Sequence, residues 1–177
     1  MSALAYANPF HRPAGALDLG PLVRAIVIVA GTAMTALCLF AIGRAVLGFA
    51  PELPHLRNMA VAVHVTTVIP CVPLGLYLLL ARKGTPLHKQ LGKLWIALMG
   101  VTATSTIFIH EGMALTWVHI FVPITYRAAW LTVAKARRGD IRGHRNEIVI
   151  LFLGALMMPG IWAFLGEGRL MNTMLLG

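Results

Sequence analysis

Apolar residues in this chain run in long stretches, and the polar residues gather in the gaps between them. A helix needs about 20 predominantly apolar residues to cross the hydrocarbon core of a bilayer. Five stretches approach that length: Leu22 to Phe49, entered after Pro21; about Asn58 to Ala81; Leu91 to Ile109; about Gly112 to Ala134; and Ile148 to Leu165. A lipid-exposed segment must satisfy its backbone hydrogen bonds internally, so each is expected to be a helix. The predicted fold is all-α, a single integral membrane bundle of five transmembrane helices over residues 21–177. Residues 1–20, polar and rich in Pro and Gly, read as a mobile tail and not as a secretory signal peptide.

The polar gaps predict the orientation. Arg82, Lys83, Lys89 and Lys93 lie between the second and third stretches, and Lys135, Arg137, Arg138, Arg142 and Arg145 between the fourth and fifth. Loops rich in Lys and Arg stay in the cytoplasm. The N-terminus, with Arg12 and Arg24, is therefore expected inside and the C-terminus outside, in the cell inner membrane. Glu52, Glu111 and Glu167 fall on the outer side, with Arg57, Arg169 and, near a helix end, Arg44. The lipid bilayer is the expected surrounding, with anionic head groups as partners of the basic loops.

Composition agrees with this reading: only 12% of residues are charged and 58% are hydrophobic, against about 25% charged in a soluble domain. The net charge of +9 does not point to nucleic acid, because the basic residues lie between spans and not on one solvated face. Cys38 and Cys71 sit inside apolar runs and read as small hydrophobes, without the pattern of a disulfide framework. Gly92 and Gly100, followed by Thr102 to Thr106 ("TATST"), are expected to favour close helix approach. Pro70 and Pro73 are expected to kink the second span. The absence of an inverted repeat or paired broken helices speaks against a transporter.

Polar residues inside a membrane are costly, which makes them candidates for function. His64 and His119 lie at matched depth near the outer face on helices of opposite direction. His88 and His144 lie near the cytoplasmic face, each four residues before an apolar span. Neutral imidazole is an axial ligand of haem iron. The predicted function is transmembrane electron transfer by haem b, with His64 and His119 as iron ligands and His88 with His144 as a second pair. Arg127, in the inner half of the fourth span, would balance a haem propionate or polarise a quinone carbonyl, unless it snorkels. A quinone or another redox protein is the implied partner. His110, Glu111 and His119 form a weaker alternative metal site. The competing prediction is a non-catalytic membrane subunit or assembly factor whose histidines only bridge helices. In the last loop, Gly139 is expected to permit a reversal and Asp140 to cap the helix that follows.

The stretch "TPLHKQLGKLWIALMGVTA", then His119, then "RRGDIRGHR" resembles an uncharacterised bacterial membrane family, domain of unknown function 2306. The resemblance covers roughly Val61 to Arg169. Its most specific part pairs His88 and Gly92 with Arg138, Gly139, Asp140 and His144, and Arg169 after the last span also fits. The family usually has a Met soon after the loop His, where this chain has Asn146, Glu147 and Ile148. The resemblance implies a membrane protein and names no reaction. A more distant likeness, carried by histidine placement alone, is to four-helix membrane b-type cytochromes.

Overall fold

The structure, a computed structural model, describes residues 19–109 and 116–177. Six helices carry the chain: α1 (Pro21–Val46), α2 (Met59–Leu80), α3 (Pro86–Ile107), α4 (Phe121–Arg137), α5 (Ile141–Leu165) and α6 (Leu170–Leu176). Short 3₁₀ turns at Pro54–Arg57 and Trp117–Ile120 lead into α2 and α4. Among the described residues there is no strand. Helices α1, α2 and α5 are long and apolar enough to cross a membrane. Helix α3 is as long as α2, but His88, Lys89, Gln90 and Lys93 in its first two turns dilute its apolar character. Helix α4 has 17 residues and includes Arg127, Lys135 and Arg137.

The helix ends follow local chemistry. Asn58 accepts a hydrogen bond from the Ala60 backbone N–H, satisfying one of the amides that a helix start leaves over. Thr85 does the same for His88 N–H, with Pro86 in the first helical position. Helix α3 therefore starts five residues before the apolar run that predicted it. The sharp reversal into α5 uses Gly139 at φ +74°, a conformation that costs glycine little. Asp140 then accepts from Gly143 N–H at 2.9 Å, as the sequence predicted. Helix α5 begins at Ile141 and so takes in the polar segment ahead of Ile148.

Sequential helices pack against one another, with α2 against α3 the most extensive interface and α4 against α5 the next. The centre of the core is Phe152, fully buried within a π-helical stretch of α5, Ile150–Met157. Its ring lies where side chains on α1 and α2 would otherwise be. A Cβ added to Gly75 would meet Phe152 Cδ2 at 2.7 Å, and one added to Gly31 would meet Phe152 Cζ at 3.1 Å. Trp95 of α3 closes the same space, and its indole N–H donates to the Cys71 carbonyl at 2.9 Å. The glycines that permit close approach are therefore Gly31 and Gly75. Nothing lies near the Cβ positions of Gly92 and Gly100, so those two do not serve the contact predicted for them. The hydroxyls of "TATST" do serve it, as described below. Large apolar side chains such as Val29, Leu39, Phe40 and Trp130 point outward, as in a protein whose solvent is lipid.

One ion pair joins α4 to α5. Lys135 Nζ lies 2.7 Å from Glu147 Oε1, and Glu147 is buried. Replacing one partner of a buried pair leaves an uncompensated charge, whereas replacing both need not. Lys135→Met is expected to destabilise the protein by about 3 kcal/mol or more, and Lys135→Met with Glu147→Leu to recover most of the loss. Thermal unfolding in detergent measures both; equal stability of the single and double variants would contradict this. Gly75→Ala, which forces Phe152 or the backbone to move, is expected to cost about 1–3 kcal/mol in the same assay.

Candidate functional site

A cavity of about 690 Å³, open on one side, lies between α1, α2, α3, α4 and α5. Its depth is apolar, lined by residues such as Met34, Cys38, Val68, Val72 and Met99. Its mouth is polar and carries His55, Asn58, Thr116, Glu167 and Arg169. His64 of α2 lines it between these zones.

The α3 hydroxyl stripe fixes the orientation of His64. Its Nδ1 lies 3.2 Å from Thr102 O, from Ser105 Oγ and from Thr106 Oγ1. Both hydroxyls donate to the Thr102 carbonyl, at 2.8 and 2.9 Å. Their hydrogens are thereby used, and all three oxygens can only accept from the ring. Nδ1 must carry the hydrogen, and Nε2 of the neutral imidazole then holds a lone pair. No described residue bonds that nitrogen, which belongs to a side chain that lines the cavity. Thr67 adds a further tie between the same helices, its hydroxyl 2.9 Å from that of Thr102.

His119 is held within its own turn. Its Nδ1 lies 3.0 Å from the Thr116 backbone N, 3.1 Å from the Thr116 carbonyl oxygen and 3.1 Å from the Thr116 hydroxyl. All of these contacts use Nδ1 and leave Nε2 over. That Nε2 is buried and has no partner among the described residues. His119 caps the turn Trp117–Ile120, and its neighbours Val118 and Phe121 line the cavity instead of it. The expected outer pair is therefore not brought together as two ligands. His64 lines the cavity and His119 does not.

The inner pair does converge. His88 and His144 both line a small recess of about 20 Å³ near Lys83 and Arg145. His144 Nδ1–H donates to the Thr132 carbonyl at 2.8 Å, and this joins α5 to α4. Burial, His144 and Lys83 all hold His88 below the ordinary histidine range. A cavity for one water needs about 10–15 Å³, so the space between these rings suits a water or a single atom and not a macrocycle.

Arg127 is exposed on the outer face of α4 and does not line the cavity. Thr125, Ala128, Ala129 and Thr132 take the inward positions, and helical spacing turns Arg127 away from them. The cation at the cavity is Arg169, whose guanidinium sits 5.8 Å from the centre of the Trp162 ring. His55 was also missed: it donates from Nε2 to Gly168 O at 2.9 Å, leaving Nδ1 buried and without a partner. A histidine in a short polar loop carries no periodic signal, and its role appears only when that loop meets the turn before α6. His110 and Glu111 lie outside the described residues.

Among the described residues no group of three or more His, Cys, Asp or Glu could hold a metal ion. A cofactor that brings most of its own ligands asks less of the protein, and haem iron can be held by one histidine. An imidazole Nε2 lone pair, oriented through an Nδ1–H bond to oxygen, is the arrangement that such ligation uses. No family model, curated protein or solved structure matches the chain. The chemistry of the site therefore has to be argued from these residues. Nitrogen-15 NMR of the histidine-labelled apoprotein is expected to find His64 protonated on Nδ1; a His64 ring protonated on Nε2 alone would contradict the assignment.

Proposed function

We propose that the chain is a multi-pass membrane protein that binds b-type haem on His64 and serves electron transfer. The observation that carries this reading is that His64, whose Nδ1 is taken up by α3, lines a largely apolar cavity of about 690 Å³ with a polar mouth. Arg169 and His55 at that mouth suit the propionates of an amphipathic macrocycle. When bound, haem would supply one-electron chemistry at its iron. The chain would supply an oriented imidazole, an apolar wall and a cation at the rim.

The proposal includes five spans, with α3 and α4 crossing alongside α1, α2 and α5. The N-terminus is cytoplasmic and the C-terminus outside. Support comes from the nine basic residues around the α2–α3 and α4–α5 turns, which the positive-inside rule keeps in the cytoplasm. The cavity mouth, at the other end of α2, then faces outward, and the proposal sets the bundle in the cell inner membrane. The likeness to domain of unknown function 2306 belongs to this proposal and rests on His88, Gly92 and the Arg138–His144 loop.

A second reading has its own support. His64, His144 and His55 each use one ring nitrogen to tie together separate parts of the chain. That is what a non-catalytic subunit or assembly factor with helix-bridging histidines would need. A quinol is the partner compatible with either reading, because its hydroxyl could donate to His64 Nε2.

The test is the absorbance spectrum of protein purified after expression with ample haem. A Soret band that shifts on dithionite reduction is expected, lost in His64→Ala and kept in His119→Ala and Arg127→Ala. A colourless protein that co-purifies with a larger complex would favour the second reading, and a band indifferent to His64 would contradict the first.

A further inference from the structure

The inner recess makes no use of His64 or the large cavity, and its composition is distinctive. Lys83 comes from the turn before α3, His88 from the first turn of α3, and His144 and Arg145 from the start of α5. Four cationic or protonatable side chains thus surround one small space, and among the described residues no acidic side chain lines it. The rest of the lining is apolar: Leu19, Leu78, Leu79 and Ile148. Helix α3 opens beside it, and the partial positive charge of a helix N-terminus favours an anion there.

We propose that this recess binds the phosphate of an anionic phospholipid. Lys83, His88, His144 and Arg145 would surround the phosphate, and Leu78, Leu79 and Ile148 would lie against the glycerol and upper acyl chain. A space of about 20 Å³ admits one phosphate oxygen, and the rest of the head group stays outside it. His144 already spends its Nδ1–H on Thr132 O, so it turns its other nitrogen to the ligand and binds an anion when protonated. His88 Nδ1 is buried and has no partner among the described residues. The depressed proton affinity of His88 reflects positive neighbours as well as burial, and an anion would relieve that repulsion. Lys83 and Arg145 have further interactions of their own, and Arg145 also reaches Asn146 Oδ1 at 3.3 Å.

Free phosphate offers the same oxygens as a lipid. The apolar part of the lining favours the lipid, because inorganic phosphate has nothing to place against three aliphatic side chains. Basic pockets between helices on the cytoplasmic side are a recognised setting for such head groups. The inference rests on the transmembrane reading of the bundle and not on any ligand of His64.

The experiment is native mass spectrometry of the full chain, reconstituted in vesicles of phosphatidylcholine and phosphatidylglycerol and then released from detergent. One retained phosphatidylglycerol per chain is expected, with no retained phosphatidylcholine. Lys83→Gln should weaken retention about fivefold, the effect of removing one basic residue near an anionic surface. His88→Asn with His144→Asn should abolish it. Arg137→Gln with Arg138→Gln, on the exposed turn outside the recess, should leave it unchanged. If the histidine variant does not fold, the half-buried turn residue Lys83 decides the matter. Equal retention of the two lipids, or equal loss in the Arg137 and Arg138 variant, would overturn the proposal. So would inorganic phosphate binding with the same histidine dependence and no lipid preference.

Discussion

One hydrogen on His64 Nδ1 organises the contact between α2 and α3. It lies within reach of a carbonyl and two hydroxyl oxygens of α3, and those hydroxyls have already given their own hydrogens to the Thr102 carbonyl. Away from water an unsatisfied polar group is expensive, so such a network has to close on itself. It closes by joining α2 to α3, the most extensive interface in the structure. The cost of closure is borne by the ring's other nitrogen, which is left as a lone pair beside the cavity. A tie between helices and a candidate ligand are thus two consequences of one tautomer.

The packing around Phe152 explains why there is a cavity to face. Phe152 fills the space left by Gly31 and Gly75, and Trp95 seals it from α3. Small residues on α1 and α2 let the helices close there. Further along, Val61, Val65 and Val68 of α2 and Ala155, Ala163 and Gly160 of α5 line the cavity without filling it. Side chains of that size on facing helices leave room at the end where His55, Glu167 and Arg169 make a polar rim. The same bundle is therefore tightly filled in one zone and open in the other.

Much of the fold is legible in the sequence, because it rests on properties that read along the chain. Long apolar runs located α1, α2 and α5, and Gly139 with Asp140 marked the reversal into α5. The small hydroxylated residues of "TATST" marked a close helix approach. What could not be read is which residues face one another. Gly92 and Gly100 have the right spacing for a contact face, yet Gly31 and Gly75 make the close approach, because Phe152 arrives there from α5. His64 and His119 match in depth along the sequence, but depth does not fix where a ring points, and the Nδ1 of His119 is held within its own turn by Thr116. Arg127 sits at an attractive depth on the wrong face of α4. The inner histidines, which looked weaker, are the two that converge, because the turns carrying them fold back to one end of the bundle.

The central claim is that His64 is the one imidazole that would ligate a haem iron in the cavity. Electron paramagnetic resonance of the oxidised, haem-loaded protein tests it directly, since two axial imidazoles give a low-spin ferric signal and one imidazole with a weak or absent sixth ligand gives a high-spin signal. The account predicts the high-spin signal, lost in His64→Ala and unaffected by His119→Ala. A low-spin bis-imidazole signal that disappears in His119→Ala would contradict it.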